Sequence, residues 1–524
     1  MTTTRTRAMA TTAAIAAIGL AGGCGGGGTS GGSGGGDTVT IAISADPGTL
    51  NPLTTVVANA LSMNRFAYDS LVHQAPDGTT VAGLAERWTA TTTSAEFTLR
   101  KGVTCQDGSE LTASDVAAAY NHVADPANRS PLLGIGVPPT AAAKADDATR
   151  TVTVTSKRPA PFFVEMARLL PIPCKKGTAD PKALARATDG TGPYRLKESV
   201  PGDHYTYVRR DGYTWGPGGA TGAELPATVV FKVMANESTA TNLLLSGAID
   251  IARVTGPDRK RLESANAIER GTTLLLGELL MNEGPGHPTA DVAVRRALIG
   301  SLNLTQIGSV ASGGTGKPAT NLGEISPTPC TGDTVTGNLP PYDVAKAAAE
   351  LTGAGWTKTG GFWTKDGKPL TVTMPYPGTE GPRIASAVEL AVQQWTTFGV
   401  KVSTKAMDQA TVMTTLGSGD WEVVWAPLTV YLPDQLSPFF DGAAPPDGTN
   451  FGHVENPDYR RHAAAAAAKP GKEGCADWDA ADAALIKRVD VVPFVTDPRT
   501  MYGLGVDFRN DGSIVPTSLR KTSR

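Results

Sequence analysis

The sequence has no surplus of either charge: 47 Lys and Arg stand against 50 Asp and Glu, a formal net charge of -3 over 524 residues. A nucleic-acid binder needs a basic excess to displace counterions from phosphate, so DNA and RNA are not expected partners. Past residue 23 there is no run of eighteen apolar residues, so no later segment is expected to span a bilayer. Histidine is scarce, with His73, His122, His204, His287, His453 and His462 in unrelated contexts. None of the five cysteines is spaced CxxC, so no zinc cluster and no cofactor are expected.

Enzyme signatures are also missing. There is no GxSxG elbow, no HExxH and no GxGxxG after a strand. Ser312-Gly313-Gly314-Thr315-Gly316-Lys317-Pro318 imitates a phosphate loop, but Ala311 stands where Gly is needed and Pro318 where Ser or Thr is needed. It reads as a surface loop. Hydrolytic triads are recognised by geometry and not by spacing, which keeps a secreted hydrolase as a distant alternative.

What is present is length. At 524 residues the chain exceeds the roughly 250 to 300 at which a single core stops growing, so two or more lobes are expected. Sixty glycines and 38 prolines predict many turns. Period-two alternation over 37–43 predicts a strand; 97–100 reads as another, and 112–122 as a helix with Thr112 or Ser114 at its N-cap. Residues 226–253 give strand, helix and strand (229–233, 238–245, 249–251), and the order recurs at 371–374, 383–398 and 401–405. Mixed α/β architecture in two regions follows. The poly-alanine run 463–468 reads as structural helix, and 489–495 as a strand interrupted by Pro493.

The N-terminal end carries Arg5 and Arg7 before an uncharged stretch over 8–23, the pattern of an export signal. Leu20-Ala21-Gly22-Gly23-Cys24 resembles a bacterial lipobox, with Ala21 in the place usually held by Leu. The resemblance implies cleavage before Cys24 and its acylation. Residues 25–36 contain only Gly, Ser and Thr, a flexible tether. Removing Cys24 leaves Cys105, Cys174, Cys330 and Cys475, an even number in a compartment where disulfides persist.

Three stretches, Leu84-Ala85-Glu86-Arg87-Trp88, Phe97-Thr98-Leu99-Arg100-Lys101-Gly102-Val103 and Asp107-Gly108-Ser109-Glu110-Leu111-Thr112-Ala113-Ser114-Asp115-Val116, resemble the signature of the family 5 extracellular solute-binding proteins. These are the peptide- and nickel-binding receptors of ABC importers. Further landmarks recur in family order: Asp46-Pro47-Gly48-Thr49-Leu50-Asn51-Pro52, Tyr68-Asp69-Ser70-Leu71-Val72, Gly190-Thr191-Gly192-Pro193-Tyr194, Leu245-Ser246-Gly247-Ala248-Ile249-Asp250 and Asp291-Val292-Ala293-Val294-Arg295-Arg296.

The resemblance implies a two-lobed α/β fold of the periplasmic-binding-protein type II kind with an extra N-terminal subdomain, and no catalysis. It divides the chain into a signal peptide at 1–23, a tether at 24–36, lobe I with the extra subdomain at 37–276, lobe II at 277–489, and a return to lobe I at 490–524. Crossovers are expected near 274–283 and 490–496. The implied protein is a monomer, lipid-anchored on the extracytoplasmic face of the cell membrane, passing a small-molecule or oligopeptide ligand to permease subunits. A sensing lipoprotein of the same fold is the alternative. With these lobes, the cysteines pair as Cys105 with Cys174 and Cys330 with Cys475, since a cross-lobe bond would lock the hinge.

Peptide-binding relatives carry an aspartate near Trp-x-Ala-Asp-Tyr that holds the ligand's ammonium. Here Leu428 or Thr429 takes its place, with Asp434 a few residues later. Trp425, Tyr431 and Tyr376, expected in second-lobe loops after strands, are the candidate aromatic contacts; Asn59, Asn282 and Arg383 are the candidate polar ones.

Overall fold

In the computed structural model, residues 37–323, 325, 328–378 and 381–524 are described. The export signal, Cys24 and the tether lie outside them. Among the described residues no helix is long and apolar enough to cross a membrane.

The alternating segment at the start becomes the strand Thr38–Ile43, with Val39 and Ile41 turned into the core at 0% and 1% exposure. It is flanked on both sides by parallel partners, Thr228–Val233 and Ile251–Arg253. These two strands belong to one strand-helix-strand unit whose helix, Glu237–Ser246, is capped by the Asn236 side chain accepting from the Thr239 amide. The helix stops at Gly247, whose φ of 85° lies in the left-handed region that glycine adopts without strain. His204–Arg209 and Tyr194–Val200 continue this sheet to one edge.

The residues carrying the first family motifs build a separate small unit. Ala85–Ala90, Ser94–Leu99, Thr151–Ser156 and Ala141–Asp146 form a four-stranded antiparallel sheet, covered by the helix Ala113–Ala124. A capping box starts that helix: the Asp115 amide donates to Thr112 Oγ1 at 3.2 Å, and the Thr112 amide donates to Asp115 Oδ2 at 3.0 Å. Cys105 is bonded to Cys174 within the same unit. Asp69 is anchored beside this unit's core, where its buried carboxylate accepts from Thr191, Tyr213 and Trp215 at 3.0 to 3.3 Å. Burial pushes the Asp69 carboxyl up to about 6 even with these donors.

The large sheet extends in the other direction through two long antiparallel strands, Val491–Gly503 and Ile268–Met281, and ends at Val423–Trp425. Pro493 does not interrupt its strand as the sequence suggested. It lies opposite Glu278, where the register shifts on either side of Gly277, so its missing N–H falls at an irregularity and not in a regular ladder.

Past this point a second set of elements has its own core. Thr371–Pro377 and Lys401–Met407 pair in parallel and are joined through the helix Pro382–Phe398, whose Trp395 is fully buried and donates Nε1 to Leu298 O at 2.8 Å. The poly-alanine run sits in the helix Pro457–Ala467, packed on Cys475–Arg488. Cys330 is bonded to Cys475. The phosphate-loop imitation is the end of the helix Leu304–Ser312 followed by the short strand Lys317–Pro318, paired with Thr496 and Val495. The chain's last segment returns to the first core, where Val506, Phe508, Ile514 and Leu519 pack against Ile41, Phe66 and Tyr207.

Candidate ligand cavity at the seam

The two sets of elements meet along a seam away from the shared sheet. On one side lies the segment around Pro161 to Arg168; on the other lie residues 426–441 and 471–478. Phe162, fully buried, and Met166 join the core that contains Trp478, with the Phe162 and Trp478 rings 6.5 Å apart. The Gly471 amide donates to Pro161 O at 2.8 Å. The Gln435 side chain donates to Ile135 O at 3.2 Å, while its Oε1 accepts from the Tyr431 amide at 2.9 Å. One side chain therefore fixes the second-half loop and ties it to the first half.

Charge concentrates beside this contact. The Arg168 guanidinium lies 5.7 Å from the centre of the Tyr431 ring, and its buried Nε has no acceptor among the described residues. Arg65 forms a two-pronged ion pair with Asp511, its Nη2 reaching Oδ2 at 3.1 Å, and also donates to Ser513 O. Burial works against the Asp511 charge. Arg65, with Arg168 and Arg509 behind it, overcomes that cost and holds the carboxyl below its ordinary range.

A cavity of about 350 Å³ opens beside the pair, walled by Arg65, His73, Gly218, Arg509, Asp511 and Arg520, among others. Its volume is within the range of small-molecule sites. Arg520 is paired with Glu224 at 2.8 Å. Burial, aided by Arg65, pushes His73 down to about 4, so it is neutral at pH 7.

Of the six residues singled out from sequence, Tyr431 reaches the charged seam, where Arg65 and Arg168 act on it. The other five are engaged elsewhere. Trp425 and Tyr376 are not in loops: Trp425 ends the strand Val423–Trp425, all three of whose residues are buried, and Tyr376 lies in the strand Thr371–Pro377. Trp425 is 1% exposed, stands edge-on to Phe494 at 5.2 Å, and donates Nε1 to Leu276 O at 3.0 Å. Tyr376 is half-buried against the second core. Asn282 is fully buried and donates to Trp421 O and Gly419 O. Asn59 donates to Ala45 O at 2.8 Å, and Arg383 is exposed beside Ser312. The cavity arginines were missed because their partners lie hundreds of positions away, 446 for Arg65 and Asp511, and no local spacing marks them.

The family described as "Bacterial extracellular solute-binding proteins, family 5 Middle" matches this chain over residues 79–448. The chain belongs to that family. Family 5 proteins bind solutes and are not enzymes. Among similar proteins are Protein XP55 of Streptomyces lividans, 28% identical over 376 residues that span 68% of this chain and 64% of that protein. The periplasmic murein peptide-binding protein MppA of Escherichia coli is 26% identical across 86% of both chains. The crystal structure of NikA from Brucella suis in complex with Fe(III)-EDTA is 20% identical, covers 93% of this chain and 100% of its own, and superposes with a TM-score of 0.77. The architecture is accordingly the two-lobed periplasmic-binding-protein fold.

In this family 5 protein, a carboxyl lies next to Leu428. Glu278, at the strand irregularity, accepts from the Leu428 amide at 2.5 Å. Burial, with Asp482 adding to it, pushes Glu278 up to about 8, so at neutral pH it is protonated and supplies no anion. Asp434, in the short helical turn Pro433–Leu436, is also raised, to about 7, by burial and by Glu165; its Oδ1 is buried without a partner among the described residues.

Proposed function

We propose that the protein is a lipid-anchored extracytoplasmic receptor that encloses a peptide or peptide-like solute between its lobes and hands it to the permease of an ABC importer. Lobe I comprises residues 37–276 and 490–524, lobe II residues 277–489, and the two paired strands serve as the hinge. The observation that carries this reading is a seam, with Phe162 against Trp478 and the Gly471 amide on Pro161 O, between two halves that share one sheet; the polar cavity of about 350 Å³ lies on the lobe I side of it. The irregular register around Gly277 supports bending at that level. Tyr431 is the aromatic contact of the ligand in this reading, and Cys24 is the acylated first residue of the mature chain.

Native mass spectrometry of protein purified from its source is expected to show a bound solute. Small-angle scattering before and after removing that solute is expected to show a larger radius without it. An unchanged radius rejects capture by closure. Cys24→Ala protein is expected to leave the membrane fraction or remain unprocessed; normal processing with membrane retention rejects the anchor.

A further inference from the structure

We infer that the cavity beside Asp511 receives an oxyanion of the captured solute, a carboxylate or a phosphate, with Arg509 as its principal donor. This rests on the capture reading above and names the chemistry of the ligand. Three guanidiniums, those of Arg65, Arg168 and Arg509, act on the single carboxylate of Asp511. Two of the cavity's arginines are already paired: Arg65 with Asp511, and Arg520 with Glu224. Arg509 lines the same space and acts on Asp511 through its charge, without a side-chain hydrogen bond or close ion pair among the described residues. Its backbone is held by the Arg509 amide donating to Ser518 Oγ at 2.8 Å.

A half-buried guanidinium that shares one carboxylate with two others keeps its attraction for a further anion. Its planar fork fits a carboxylate or a phosphate with two parallel hydrogen bonds. The unsatisfied Arg168 Nε adds to the positive field at the seam. His73 contributes no further charge, being neutral, and its Nε2 faces Asp69 at 3.7 Å. A ligand ammonium placed here would meet uncompensated positive charge, whereas an oxyanion completes the set.

Calorimetry on the full chain, stripped of its solute, tests this with succinate, inorganic phosphate and uncharged succinamide as probes. Wild type is expected to bind succinate or phosphate in the millimolar range and not succinamide, and the anion preferred identifies the group. Arg509→Gln is expected to weaken that binding by about ten-fold or more, and Arg509→Lys by less. Equal binding of succinamide, unchanged binding in Arg509→Gln, or no binding of either anion overturns the inference. Scattering with the copurified solute separates the two readings. If the solute closes wild type and Arg509→Gln at the same concentration, capture stands and the oxyanion assignment falls. If it closes neither, capture itself falls.

Discussion

Glu278 and Leu428 are joined by a 2.5 Å hydrogen bond in which the backbone amide donates to a carboxyl that is 1% exposed. An ordinary glutamate ionises near 4.5, and this one near 8. Between those values the folded chain holds a proton that the unfolded chain has lost. Its contribution to stability is therefore present below pH 4.5 and is lost as pH rises towards 8. Glu278→Gln keeps an acceptor for Leu428 and removes the titration. Relative to wild type it is expected to gain about 2 kcal/mol between pH 6 and pH 9, measured by urea unfolding at both. The same loss in both proteins would assign the pH dependence to Asp69, Asp434 and other raised carboxyls.

Arg295 fixes the ends of both long paired strands from one point. It is fully buried, 3.1 Å from Glu283 and 2.9 Å from Asp490, which stand just beyond Met281 and just before Val491. It also donates to Thr289 O at 2.9 Å. Arg295→Met keeps most of the volume and leaves two buried carboxyls side by side. A loss of about 3 to 5 kcal/mol is expected in urea unfolding. A loss under 1 kcal/mol would show that Arg488, which lies 3.4 Å from Glu283, compensates.

These two cases mark how far the sequence was legible. The capping box of Thr112 and Asp115, the Gly247 stop and the alternation of 38–43 are local chemistry and could be read directly. The extended motif around Asp291 identifies the family, yet the use of Arg295 depends on Glu283 and Asp490, the latter 195 positions away. The placement of Trp425 was misread for a similar reason. An aromatic residue at a strand end has two faces to choose from, and only the partner strand, with Leu276 and Phe494, shows that it turns inward. The charged cavity was not legible at all, being assembled from Arg65 and His73, the 217–224 segment and residues 509–520.

Phe162 is the test of the seam. Its ring belongs to the small unit's chain segment but is buried in the second-half core with Trp478. Phe162→Ala removes that contact and leaves the Asp69 and Arg295 anchors intact. The expected result is a larger radius of gyration and faster amide exchange over residues 426–441, with a contact loss of about 3 kcal/mol acting on closure. An unchanged radius with an undiminished solute affinity would mean that Phe162 is ordinary packing and does not hold the lobes together.

Each disulfide closes a segment within one of the proposed lobes, with sequence separations of 69 and 145. Reduction is expected to lower stability by about 2 to 4 kcal/mol per bond through the unfolded chain while leaving solute-driven closure in place. Scattering and thermal unfolding of Cys330→Ser with Cys475→Ser check both halves of that statement. Closure lost together with the bond would tie Cys330 to the hinge motion.

The ligand's charge can be tested without knowing its identity. Leu428 or Thr429 stands where the family resemblance implies an ammonium-binding aspartate, and Glu278 beside Leu428 is protonated at neutral pH, so it supplies no anion there. A free ammonium at this place is therefore unpaired, and burying it is costly. In calorimetry with a peptide pool, N-terminal acetylation is expected to leave affinity unchanged or raise it, by up to about ten-fold or 1.4 kcal/mol. Asp434 is the rival anion, and since its carboxyl ionises near 7, any role in ammonium binding must strengthen as pH rises from 6 to 8. Tight binding that acetylation abolishes, that strengthens over this range and that Asp434→Asn removes would reassign the amine site to Asp434.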